Sequence, residues 1–288
     1  MYELLAAPFV DYAFMQRALA GCVLLCLSGC PVGVFLMLRR MSLAGDAMAH
    51  AILPGAAAGF LLYGLEIVPM TVGGLAAGAV VALAAGLVSH VTVQKEDASM
   101  AAFYLISLAL GVLMVSMRGS SVDLMHVLFG TVLALGNNSL TLIAAIAALT
   151  LVSLAIFWRA LVAECMDPLF LRSVSRLGTP VHLVFLALVV LNLVGGFQAL
   201  GTLLSVGLMM LPAIAARFWA ASVGSMCLVA IGFGIVSCLA GLLFSYHGSL
   251  PSGPSIILSA GAIYLFSILF GARGIIATRV RGRRHRIA

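Results

Sequence analysis

Lysine is nearly missing from this 288-residue chain. Lys95 is the only one, and no glycine precedes it at the spacing of a Gly-x-x-x-x-Gly-Lys loop. That absence excludes ATP binding through a phosphate loop. His-Glu-x-x-His and Gly-x-Ser-x-Gly are also absent, which leaves an intramembrane hydrolase without support. Charge of either sign is scarce, at 8% of residues, against about 25% in soluble domains. The six cysteines show no disulfide framework, and the N-terminus has no short basic-then-apolar leader with a small-residue cleavage site, so insertion is expected to begin with the first spanning helix.

What fills the chain is apolar: 64% of residues are hydrophobic and the mean hydropathy is +1.22. A soluble fold could not hide that much apolar surface. The expectation is an all-α polytopic membrane protein forming one domain over residues 1–288. The net charge of +6 does not point to nucleic acid, because five arginines crowd into residues 279–288. That segment reads as a cytoplasmic tail, or as one that meets anionic lipid headgroups.

A span needs about 20 apolar residues. Ala18–Leu38, Asp46–Leu65, Ile67–Val93 and Ala98–Met117 supply four. Leu124–Trp158 is too long for one and breaks at Gly136-Asn137-Asn138-Ser139 into a short Leu124–Leu135 piece and a fifth span from about Leu140. Leu177–Ala216 gives two, with a break expected near Gly195-Gly196-Phe197-Gln198. Phe218–Ala272 gives two more, split between His247 and Pro254. With the N-terminus outside, Arg39, Arg40, Lys95, Arg159, Arg172, Arg176, Arg217 and the tail all fall inside, and only Arg17 and Arg118 lie outside. The expectation is about nine spans, N-out and C-in, the seventh short enough to be re-entrant. Gly29/Gly33, Gly55/Gly59 and Gly74/Gly78 form small-residue ridges for close helix packing.

Asp46 and His50 stand four residues apart at the head of an apolar helix and share one face. Ionisable groups within a span usually face a cavity or ion path. A carboxylate and a neutral imidazole also make a borderline set of divalent-metal ligands. Two ligands are too few for closed coordination, which suits a site that must release its ion. The alternative is a hydrogen-bonded pair that fixes helix packing. Cys22, Cys26 and Cys30 repeat every four residues on the first span, as small packing groups or as a soft metal site. His90 reads as an interfacial residue rather than a ligand. Asp123 and His126 could receive metal on the outer side or could cap a helix. His247, in the expected outer loop, could touch a delivering protein or be a plain loop residue. Gln198 could line the path or bond between helices. The run Leu208-Met209-Met210-Leu211 reads as packing.

Several blocks resemble the membrane permease of the zinc/manganese class of ABC importers. They run from Leu38-Arg39-Arg40-Met41-Ser42-Leu43-Ala44-Gly45-Asp46 through His50 to Pro54-Gly55, then Asp123 to Gly130, Asp167-Pro168, Gly201-Thr202-Leu203-Leu204 with Leu211-Pro212-Ala213, and Pro251 to Leu258. The Gly-Asp-x-x-x-His-x-x-x-Pro-Gly block is the specific one, and together the blocks cover nearly the whole chain. The resemblance implies a homodimeric or pseudo-dimeric permease in the cytoplasmic (inner) membrane of a prokaryote. It implies a cytoplasmic ATPase on each half, an extracytoplasmic metal-binding protein, and Asp46 and His50 holding metal in transit. It also implies that residues 164–178 dock the ATPase, with Glu164, Asp167, Pro168, Arg172 and Gly178 as contacts. Leu169 departs from the family pattern, where an acid often follows Asp-Pro. The chain itself is then not an enzyme and keeps no permanent cofactor. Its cargo is Zn2+ or Mn2+, or Fe2+, with zinc favoured by the affinity order. The rivals are an ATP-independent divalent-cation carrier or channel, a scaffold whose pair only packs, and a permease for a larger metal chelate.

Overall fold

The structure, a computed structural model, describes residues 7–64, 66–92, 96–117, 132, 135–166 and 178–277. Lipid offers no partner to a backbone N–H or C=O, so an apolar segment must satisfy its own by coiling. Among the described residues this gives eleven helices and no strand. They are α1 (Ala7–Asp11), α2 (Ala13–Leu38), α3 (Ser42–Ala51), α4 (Leu53–Tyr63), α5 (Ile67–Val91), α6 (Glu96–Met117), α7 (Asn137–Met166), α8 (Gly178–Leu200), α9 (Thr202–Ala216), α10 (Val223–Gly248) and α11 (Ser252–Phe270). Among the described residues seven segments are long and apolar enough to cross a bilayer, with α3 and α4 counting as one, and the apolar parts of α6 and α9 are shorter. Seven and two make the nine segments expected from hydropathy.

The second span is interrupted at Ile52 because of Pro54, whose ring nitrogen has no hydrogen for the carbonyl of His50 one turn back. The expected break at Gly195-Gly196 is not there. Both residues lie inside α8, and the chain turns at Gly201 instead, where φ is 89°. Gly195 and Gly196 serve close approach: an added Cβ would press into Ile146 from Gly195 and into Ser205 from Gly196. His247 is likewise on the last turn of α10 rather than in the loop that follows.

The first long helix is the most enclosed. In α2, 78% of the most apolar window is buried, against 28% in α7 and α11, so α2 runs inside the bundle while those two leave most of their side chains uncovered by the chain. Around α2 pack α7, α9 and α10, with α11 against α9 and α10. The helices α3 to α6 form a second group, and α8 touches both. Glycine sets the closest crossings. A Cβ on Gly55 would overlap the carbonyl of Gly73, and one on Gly33 would overlap the carbonyl of Met209. At 15 residues α9 is only about 22 Å long, short of the roughly 30 Å hydrocarbon core. It tolerates this because ten of its residues, Met209 and Met210 among them, are buried in protein.

Pro212, inside α9, cannot donate to the carbonyl of Leu208. The thiol of Cys30 fills that gap, with Sγ 3.4 Å from the Leu208 oxygen. Cys26 lies 3.7 Å from Cys238 of α10, sulfur to sulfur. The cysteines of α2 thus face protein. Among the described residues no group of three or more His, Cys, Asp or Glu is arranged to hold a metal.

Candidate metal site

The turn from α2 to α3 takes three residues. Arg40 adopts φ 61°, and N–H groups of Arg40 and Met41 return to the carbonyls of Met37 and Leu36 at 3.1 and 3.0 Å. This reversal starts α3 against α2 and brings the Asp46–His50 face to α9. Gly45 permits the approach, since the methyl of Met209 would lie 3.2 Å from a Cβ there.

Asp46 and His50 line an open cleft of about 320 Å³ together with Ala49 of α3, with Thr202, Leu203, Val206 and Gly207 of α9, and with Ile257 of α11. His50 Nε2 is 3.7 Å from Asp46 Oδ1, too far for a hydrogen bond. The Asp46 side chain is 62% exposed and that of His50 25%. His50 Nδ1 is buried with no partner among the described atoms, and the ring centroid is 6.0 Å from that of Tyr104. A packing pair would close on itself; this one stays open. Ligand atoms on one ion with bonds of about 2.1 Å sit roughly 3.0–3.4 Å apart at octahedral to tetrahedral angles. A small side-chain rotation therefore brings carboxylate and imidazole into register for a shared divalent cation. The remaining positions would fall to water or to groups from outside the chain.

A second ionisable cluster lies beside the start of that turn. Arg39 Nη2 donates to Glu164 Oε2 at 2.6 Å, and Nη1 contacts His182 Nδ1 at 3.0 Å. A guanidinium only donates, so Nδ1 accepts and the ring proton sits on Nε2. His182 Nδ1 is also 3.4 Å from Glu164 Oε1. The Arg39 guanidinium carbon is 4.1 Å from the centroid of Phe185, a cation–π contact. Side chains of Arg39 and Glu164 are each 7% exposed. Glu164 therefore points into the protein. His182 is absent from the candidates read off the sequence; its signal is an imidazole within the first turns of an apolar span.

The other candidates are not gathered at the cleft. His247 is exposed on α10, its ring 5.3 Å from that of Tyr246, and is not among the cleft-lining residues. Gly178 opens α8. Asp123, His126, Asp167, Pro168, Arg172 and the 279–288 tail lie outside the described residues, as do the side chains of His90 and Gln198.

Comparison with known proteins agrees with this architecture. A solved structure described as PsaBC from Streptococcus pneumoniae in complex with Fab superposes with a TM-score of 0.83 at 30% identity, covering 93% of this chain and 97% of that one. The manganese transport system membrane protein MntC of Halalkalibacterium halodurans is 31% identical over 277 residues, 96% of this chain and 94% of its own length. The chelated iron transport system membrane protein YfeD of Yersinia pestis is 29% identical over 270 residues, 94% of this chain and 89% of its own. The pattern of the ABC 3 transport family matches residues 11–271. With that match running from α1 to the end of the last long helix, this chain belongs to the ABC 3 transport family.

Proposed function

We propose that this chain is the permease subunit of an ATP-driven importer that brings a divalent transition-metal ion across the cytoplasmic membrane, with Asp46 and His50 as its transit ligands. The observation that carries the reading is the open pair itself. It comprises a largely exposed carboxylate, an imidazole whose Nε2 faces it at 3.7 Å without a hydrogen bond, and a cleft between α3 and α9. Such groups within an apolar span are functional by default. Ionised Asp46 supplies charge, and neutral His50 supplies a nitrogen. The relatives' names support the cargo class. Affinity order alone favours zinc, but the names reported above are manganese and iron names, and the cleft offers no thiolate. Manganese therefore moves ahead of zinc.

The rest of the assembly follows from the same reading. The chain sits N-out and C-in as one permease domain, with residues 279–288 in the cytoplasm. A second copy faces the first, and its pair or bound water completes the coordination that two ligands leave open. The segment 164–178 meets a separate ATPase chain through residues other than Glu164, which is turned into the protein, and an extracytoplasmic binding protein delivers the ion. Asp123, His126, His247 and Gln198 are the next candidates along the path. Nucleotide-driven motion of the docking segment shifts α3 against α9, opening the cleft first to one side and then to the other.

The test is uptake of radioactive manganese and zinc into liposomes holding the chain with its ATPase and binding protein. Asp46→Ala and His50→Ala, shown to assemble, should abolish ATP-dependent uptake, and the preferred isotope names the cargo. Uptake that survives both changes removes the pair from the path. Uptake without any ATPase replaces the importer with a carrier.

A further inference from the structure

The charged cluster at Arg39 is built differently from ordinary packing, and we propose that Arg39, Glu164 and His182 are the positioning residues that link the ATPase-docking segment to the metal helix. This inference rests on the permease reading above. Its geometric basis is the set of elements the cluster joins. Glu164 lies in the last turn of α7, and His182 in the first turns of α8. These two helices flank the proposed docking segment. Arg39 directly follows α2 and stands seven residues before Asp46. The cluster therefore ties both ends of the docking segment to the base of the helix that carries the metal ligands.

Two features make the tie directional. The first is the stiffness of the turn. Besides the N–H bonds of Arg40 and Met41, Ala44 N–H reaches the Met41 carbonyl at 3.0 Å, so α3 begins without slack. A displacement of Arg39 reaches Asp46 through rigid backbone. The second is how the guanidinium divides its contacts. Its ion pair goes to α7, whereas its imidazole contact and its aromatic face go to α8 through His182 and Phe185. If α7 and α8 part, Arg39 cannot keep both. It stays with one helix, and α3 follows. Two discrete arrangements of one side chain are what a coupling element requires.

Burial strengthens the case. Taking a carboxylate and a guanidinium out of water costs more than their attraction usually returns, and apolar side chains of similar volume hold helices at least as well. A buried pair at this junction is therefore a poor choice for stability alone. The planar fork matters too, because only arginine can donate to two helices at once while stacking on a ring.

The experiment uses the full complex of permease, ATPase and binding protein in liposomes, and reads metal ions taken up per ATP hydrolysed beside thermal stability of the assembled complex. Glu164→Ala leaves Arg39 buried without its counter-ion and should lower both. The double change Arg39→Met with Glu164→Met removes the pair and refills its volume. Stability should recover, while ions moved per ATP stay depressed by about 5-fold or more, the lower range of coupling between sites. Arg39→Lys, which keeps the charge and loses the fork, should assemble normally and also couple poorly. Wild-type coupling in either the double variant or Arg39→Lys overturns the proposal, since the cluster would then be packing. If the wild-type complex itself moves no metal on ATP, the permease reading falls first and takes this linkage with it, an outcome read from a different sample.

Discussion

Gly33→Ala adds one methyl group where α2 crosses α9, and the structure sets its sign and size. The new carbon would overlap the carbonyl of Met209 and come within 3.2 Å of its Cγ. A side chain could rotate away, but a helical carbonyl cannot. The two helices must separate for the methyl group to fit. Overpacking of this kind costs about 1–3 kcal/mol. Gly232→Ala is the matching control. Gly232 lies within α10 with nothing inside 4 Å of an added Cβ. There alanine restricts only the unfolded chain and should stabilise by about 0.5–1 kcal/mol. The same chemical change should thus move the unfolding midpoint in opposite directions, measured by circular dichroism in mixed detergent micelles. Gly33→Ala should also weaken metal retention, because α9 carries Thr202, Val206 and Gly207 of the cleft wall. Equal shifts for both variants would refute the crossing argument.

Two smaller predictions concern single hydrogen bonds. Cys30→Ala leaves the Leu208 carbonyl without its thiol donor and should cost about 0.6 kcal/mol, the usual size of a bond between helices in a membrane; Cys30→Ser should restore it, and unfolding midpoints of the three chains decide. Ser222 and Ser225 form a reciprocal cap at the start of α10, at 3.3 Å and 3.2 Å. Ser222→Ala should cost about 1 kcal/mol and speed amide exchange in the first turn of α10 without changing exchange at its centre.

The spans were legible because lipid leaves one solution for an apolar run. Hydropathy puts helix ends at Leu38 and Ile67, and both are helix ends in the structure. The turn at Gly201 was not legible, for a physical reason. Gly195 and Gly196 are small because Ile146 and Ser205 press on them, whereas Gly201 is glycine because its φ is 89°. A sequence shows the residue in both cases and the reason in neither. Asp46 and His50 could be paired from spacing, since one helix turn joins them. Arg39, Glu164 and His182 could not: they are separated by 125 and 143 residues and meet only through tertiary packing. The role of Cys30 needed a proline on another helix to explain it.

The enclosure of α2 has a consequence for how the chain is made. Among the described long helices it is made first, yet α9 and α10, which cover it, are made late. Val223, where α10 begins, lies about 185 residues after Leu38, which at about 5–20 residues per second is roughly 10–40 s of synthesis. For that time the face carrying Gly29, Cys30 and Gly33 has lipid or a chaperone for company instead of α9 and α10. A nascent chain stalled before α9 would display this face, with its thiols and its bare glycine ridge, to the membrane's quality-control machinery. The helix at the centre of the finished protein is thus also the one by which an unfinished protein can be recognised.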